Sequence, residues 1–144
     1  MYAALAIFEP HLPKEDASQK VKCIIGVIEG DTHDIGKNLC KTMLETAGFD
    51  VHDLGRDVPV EEFIHMTKEI DAKIIALSTL MTTTMPGMRR VIERLKEEGL
   101  RDQVKVIVGG GPLSQHFCDE IGADGYSTNA IECVALAKRL VHRE

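Results

Sequence analysis

Three short runs of β-branched residues constrain this chain more than any other feature. Residues 21–28, 73–78 and 104–108 are rich in Val and Ile and nearly continuous in apolar character. A strand covered on one face alternates apolar with polar residues. A strand covered on both faces reads as an unbroken run, as in a parallel sheet with helices on each side. Each run ends in small residues: Gly30 after the first, Ser78 at the second, and Gly109, Gly110 and Gly111 after the third. Weaker strands fit residues 50–54 and 124–126, and His52 and Asp53 put the former at a sheet edge.

Helical spacing fills the gaps. Leu39, Met43, Leu44 and Ala47 repeat on one helical face, with Gly48 as the stop. Val60, Phe63, Ile64 and Thr67 follow Pro59; Met88, Val91, Ile92 and Leu95 follow Pro86 and end at Gly99. Leu113, Phe117 and Ile121 make a short fourth helix, and Ala130, Val134, Ala137 and Val141 a fifth, with Asn129 as its N-cap. The alternation predicts an α/β fold. It is a doubly wound, five-stranded parallel sheet, Rossmann-like or flavodoxin-like, in the order 2-1-3-4-5. At 144 residues the chain suits one domain, over 21–144, with a Pro-interrupted N-terminal tail over 1–20.

Composition removes several function classes. A formal net charge of −6 leaves no basic face for a nucleic-acid backbone. No apolar run is long enough for a membrane span, and the first 20 residues lack a secretory pattern, so the expected location is cytoplasmic. Cys23, Cys40, Cys118 and Cys133 form no CxxC pair and read as reduced core thiols, with no zinc-ligand spacing.

In a sheet of this order, ligands bind beyond the carboxyl ends of strands 1 and 3. Strand 1 leads into Gly30-Asp31-Thr32-His33-Asp34-Ile35-Gly36-Lys37-Asn38, a His between two carboxylates. Strand 3 leads into Ser78-Thr79-Leu80-Met81-Thr82-Thr83-Thr84, and strand 4 into the three glycines. Neither GxxxxGK[ST] nor GxGxxG follows strand 1, and no acidic cluster with a later Lys suggests a phosphorylation site. Small residues at three adjacent strand ends imply a slot that admits something long and flat.

Asp31-x-His33-x-x-Gly36, then Ser78-x-Leu80, then Gly109-Gly110 resembles the signature of the cobalamin-binding domain family. The resemblance covers roughly residues 20–143, and His33-Asp34-Ile35-Gly36-Lys37-Asn38 is similar to the methyltransferase corrinoid-protein branch. It implies a corrinoid (cobalamin) cofactor bound base-off/His-on, with His33 as the cobalt's lower ligand and the nucleotide tail in the slot. It further implies a relay of His33, Asp31 and Thr84, in which Asp31 accepts from the imidazole and fixes its tautomer. Gly30, Thr32, Asp34, Ile35, Gly36, Ser78, Leu80, Thr82, Gly109, Gly110, Gly111 and Ala130 are the further expected cofactor contacts. A side chain at Gly110 is expected to fill the slot with the fold intact. Asp34 is also expected to cap the first helix. Met81, Met85 and Met88 suit either the corrin or packing. The remaining histidines (11, 52, 65, 116 and 142) read as surface or packing residues.

The function so implied is that of a methyl carrier cycling cobalt(I) and methyl-cobalt(III). Its partners would be a substrate-specific methyltransferase, an acceptor methyltransferase and a reductive activation protein. A mutase cobalamin subunit and a corrinoid sensor or storage module are the alternatives. The four-helix cap that usually precedes this domain is not evident, and the start of the tail resembles the end of its last helix.

Overall fold

The computed structural model describes residues 20–142. The expected tail and cap remnant therefore lie, apart from Lys20, outside the described residues, as does His11. Five parallel strands run β1 (Lys22–Ile28), β2 (Asp50–Val58), β3 (Ile74–Ser78), β4 (Lys105–Gly109) and β5 (Gly125–Ser127). They are joined by α1 (Ile35–Thr46), α2 (Val60–Ile70), α3 (Met85–Glu97), α4 (Gln115–Ile121) and α5 (Ala130–His142). The sheet order is β2-β1-β3-β4-β5, the order expected from the apolar runs.

The continuous apolar runs are explained by two separate cores. Ile24, Ile28, Ile75, Leu77, Val106 and Val108 face one side, against Phe63, Met88, Ile92 and Leu95 of α2 and α3. Cys23, Ile25, Ile74, Ala76 and Ile107 face the other, against Leu44 of α1 and Cys133 and Ala137 of α5. Neighbouring residues along each strand point to opposite faces, so burial of both faces removes the polar alternation. Met88 is fully buried here, which settles it as packing.

Local departures have local causes. β2 continues past Leu54 to Val58, but its pairing with β1 slips on both sides of Gly26. Gly55 and Asp57 both have positive φ there, and such residues break the apolar pattern that marks a strand. α4 begins at Gln115, after Leu113, because Ser114 accepts from the Phe117 amide at 3.2 Å and caps it. Asn129 caps α5 as expected, through the Glu132 amide at 2.8 Å.

Tight packing of α3 on β1 gives a stability test. A Cβ on Gly87 would lie 2.6 Å from Cγ2 of the buried Ile28. Overpacking a core costs about 1–3 kcal/mol, against a helix-propensity gain of at most ~1 kcal/mol for Gly→Ala. Gly87→Ala is therefore expected to lower stability by about 1–2 kcal/mol, read as a lower urea midpoint at unchanged slope.

Candidate functional site

The site is built around one buried carboxylate. β1 and β3 are adjacent, with Val27 opposite Ser78, and β3 and β4 bring Ser78 opposite Gly109. Asp31, just past the end of β1, is fully buried. Its Oδ1 accepts from the His33 amide at 2.9 Å and meets His33 Nδ1 at 2.6 Å. Its Oδ2 accepts from the Leu80 amide at 2.6 Å and the Thr79 hydroxyl at 2.7 Å. Burial pushes this carboxyl's pKa up, but the hydrogen bonds from His33, Leu80 and Thr79 outweigh it and hold the group well below the ordinary carboxylate range.

The relay is longer than the expected His33–Asp31–Thr84. Thr84 does not touch Asp31. Its hydroxyl makes a very short hydrogen bond with that of Thr79, and it is Thr79 that reaches the carboxylate. Each hydroxyl has one proton: that of Thr79 faces Asp31 and Thr84, and that of Thr84 faces Thr79 and the Met81 carbonyl oxygen, 3.0 Å away. Thr79 carries no motif signal, because it stands between Ser78 and Leu80, the two motif positions. The loop is also held from β2. Asp57, at φ 55°, accepts from the Gly30 amide at 2.7 Å and donates its own amide to the Asp31 carbonyl at 2.9 Å.

His33 sits over this base with its side chain 55% exposed. In the neutral imidazole, an Nδ1–H donating to Asp31 makes Nε2 the nitrogen that carries the lone pair, and Nε2 has no hydrogen-bond partner among the described residues. An imidazole fixed in this tautomer presents a lone pair to a metal. No group of three or more His, Cys, Asp or Glu among the described residues could hold an ion by itself.

Beside His33 a cavity of about 400 Å³ runs down the α1–α5 side of the sheet, within the size range of small-molecule pockets. Of the expected contacts, His33, Gly36, Ser78, Leu80, Gly109, Gly110, Gly111 and Ala130 line it. Gly30, Thr32, Asp34, Ile35 and Thr82 do not. Thr82 is exposed in a short 3-10 turn, and Asp31 and Thr84 lie buried beneath His33. The expected cap at Asp34 is corrected too. It occupies the N-cap position with φ −113° and ψ 6°, and its side chain makes no capping hydrogen bond. A capping side chain needs extended backbone, which the loop pinned by Asp31 does not provide.

Other lining residues left no motif signal. Ala76 reads as part of a strand's apolar run, Cys40 and Cys133 as core thiols, and Leu39 as part of the apolar stripe of α1, although it is exposed in the structure; Ser127 also lines the cavity. Lys37 is 3% exposed and donates to Asp53 at 2.8 and 2.9 Å and to Asn38 at 2.7 Å. Its charge is committed to that pair, so it is no phosphate clamp. Gly110 also changes meaning. Its φ is +141°, and a Cβ there would lie 1.7 Å from the Thr79 carbonyl oxygen. Any side chain would push the Thr79 segment off Asp31, so the fold would not stay intact as expected. Gly111, where a Cβ would make ordinary 3.5 Å contact with Leu80, is the position that tests the slot.

Asp31 carries a stability prediction. Its folded pKa is depressed, so its contribution is fully present above the unfolded value of about 3.9 and is lost as pH falls through the folded value. Asp31→Asn must turn an amide NH₂ toward either His33 or the Leu80 amide, leaving a donor facing a donor. The expected loss is about 1–3 kcal/mol at neutral pH. The gap should narrow on acidification below the ordinary carboxylate range, as measured by urea unfolding across pH.

The chain is similar to known proteins in both sequence and fold. The chain is 54% identical over 142 residues to dimethylamine corrinoid protein 3 of Methanosarcina mazei, covering 98% of this chain and 85% of that protein. The monomethylamine corrinoid protein of Methanosarcina barkeri superposes with a TM-score of 0.81 at 40% identity, covering 89% of this chain and 62% of that one. The methanol:cobalamin methyltransferase complex MtaBC of Methanosarcina barkeri gives a TM-score of 0.80 at 29% identity, covering 98% of this chain and 60% of the matched chain. The chain thus spans about three fifths of the length of these solved structures. The family model described as the B12 binding domain matches residues 21–135. With that match over most of its length, the chain belongs to the B12 binding domain family.

Proposed function

We propose that this chain is the corrinoid-carrying component of a methyltransferase system, with His33 as the lower cobalt ligand and the cavity as the seat of the nucleotide tail. One observation carries the reading: His33 is locked through Nδ1 to a buried, ionised Asp31 while its Nε2 stands free at the mouth of the slot. Apolar surface supports it. Ile35 is 85% exposed and Leu80 50%, both close in sequence to the relay. Large apolar side chains left in water around one site suit a broad apolar ligand.

When bound, the corrinoid supplies the cobalt that accepts and gives up the methyl group. The chain's own residues hold and tune it. His33 offers its Nε2 lone pair. Asp31 accepts from Nδ1 and so fixes the tautomer, and its own hydrogen bonds keep it ionised. Thr79 completes the carboxylate's hydrogen bonds from below and is itself held by Thr84. The names of two relatives, for dimethylamine and monomethylamine, favour a methylated amine as the donor, delivered by a dedicated methyltransferase. A second methyltransferase would accept the methyl group, and a reductive activator would restore the carrier.

Reconstitution with hydroxocobalamin followed by gel filtration should leave about one corrinoid per chain, with a base-off, His-on spectrum. A colourless protein would remove the reading. In the cobalt(II) state, electron paramagnetic resonance should show nitrogen splitting that His33→Ala loses, although the variant keeps its corrinoid. The cobalt(II)/(I) step should become easier in that variant, because a donor favouring the higher oxidation states is gone. Identical splitting in both proteins would exclude His33 as the ligand. Gly111→Leu should reduce uptake at least tenfold with an unchanged circular dichroism spectrum.

A further inference from the structure

Two residues other than glycine take positive φ among the described residues, Asp57 and Asp71. Asp71 follows the last turn of α2, where a left-handed residue is an ordinary helix end. Asp57 stands near the end of the edge strand β2, exposed, in a conformation that glycine would take without steric cost. What an aspartate adds there is its carboxylate, and that carboxylate is bonded to the loop that carries His33. Three consecutive peptide groups of the loop are held. The Gly30 amide donates to Asp57 Oδ1 at 2.7 Å, the Asp31 amide donates to the Ile28 carbonyl at 3.0 Å, and the Asp31 carbonyl accepts from the Asp57 amide at 2.9 Å. Two of these holds come from one residue of another strand. They bracket Gly30 and Asp31 and so set the direction in which the Asp31 side chain leaves the backbone. Gly30 is the point that needs holding, since at φ +95° and without a Cβ its torsions are the freest in the loop. A Cβ to stiffen it would lie 3.0 Å from Thr84 Cγ2, so the restraint comes from outside. The Gly30 bond is exposed, where exchange with water leaves a hydrogen bond little net stability, and its use is in placement.

We infer that Asp57 is a positioning residue for His33: through the Gly30 amide it holds the loop in the geometry at which Asp31 orients the imidazole beside the slot. The chain of contacts is continuous. Asp57 fixes Gly30, the fixed backbone aims Asp31, and Asp31 Oδ1 takes both the His33 amide at 2.9 Å and Nδ1 at 2.6 Å. At the other carboxylate oxygen, Leu80 and Thr79 anchor the same group to the β3 loop. The imidazole is thus oriented from two sides, from the sheet edge by Asp57 and from the sheet centre by Leu80 and Thr79. Without the Asp57 carboxylate, Gly30 regains its torsional freedom, and that freedom is lost again each time His33 meets a ligand. The bond from His33 to cobalt is then weaker, while the slot, which Asp57 does not line, is unchanged. The inference rests on the proposed role of His33 as the lower cobalt ligand.

The test loads the chain with hydroxocobalamin and reads the cobalt(II)/(I) potential, which a nitrogen donor that favours cobalt(II) lowers. Asp57→Gly keeps the backbone conformation and removes the acceptor. Asp57→Asn removes the charge and keeps an acceptor, in a residue that also tolerates positive φ. In Asp57→Gly, His33 should hold cobalt(II) about tenfold more weakly, a rise of about 59 mV for a one-electron couple. That variant's urea midpoint and hydroxocobalamin uptake should stay close to the parent's. Asp57→Asn should keep the parent potential, and in a His33→Ala background Asp57→Gly should shift nothing. An unchanged potential in Asp57→Gly overturns the inference and leaves the corrinoid reading standing. An equal rise in Asp57→Asn also overturns it, because the charge and not the hydrogen bond would then act. So does a rise that persists in the His33→Ala background. A much lower urea midpoint or lost uptake in Asp57→Gly overturns it too, since the residue would then serve the fold or the retention of the cofactor. Nitrogen splitting that is absent from the parent, or unchanged in His33→Ala, overturns the reading of His33 itself, and the positioning role with it.

Discussion

The Asp31 carboxylate is the interaction on which the working end of this molecule depends. It is a charge removed from water, and such a charge is tolerable only when its lone pairs are met. Here they are met from two strand ends. His33 supplies donors from the β1 loop, and Leu80 and Thr79 supply donors from the β3 loop. The same bonds that stabilise the charge therefore fasten the two loops that flank the switch point of the sheet. They also orient the imidazole. Structure and orientation share one group: whatever keeps Asp31 ionised also keeps it accepting from His33 Nδ1.

Around that anchor the molecule leaves space by using small residues where a parallel sheet would ordinarily be covered. Ala76, Gly109, Gly110, Ser127 and Ala130 expose backbone along the α1–α5 side. Gly110 does more than stay small, since the Thr79 carbonyl occupies the space where its Cβ would be. The slot and the relay thus share a wall. A change in one at this point is transmitted to the other through the Thr79 backbone.

Asp57 shows how the edge strand takes part. It accepts a left-handed backbone, a cost of order 1 kcal/mol for a residue other than glycine, and in return binds both the Gly30 amide and the Asp31 carbonyl. The pairing of β2 with β1 slips in register in the same stretch, on both sides of Gly26. Lys37 and Asp53 tie the start of α1 to the same strand. The loop bearing His33 is in this way gripped from β2, β3 and its own carboxylate.

The sequence by itself determined the sheet, its order and the strand ends where the site lies. Burial of both faces writes itself into continuous Val and Ile runs, and helical burial into a period of 3.6, so both can be read without coordinates. It also marked His33, Asp31, Ser78, Gly109 and Gly110, because they stand at fixed spacing in a resemblance carried by residue types. Only the tertiary structure decided that Thr79 stands between Asp31 and Thr84, that Gly110 serves packing as well as space, and that Lys37 is spent on Asp53. Each of those is a contact between residues far apart in the chain or a choice of side-chain direction within a loop. Neither has a period or a spacing, and a hydrogen bond between residues 31 and 79 leaves no trace in either local sequence.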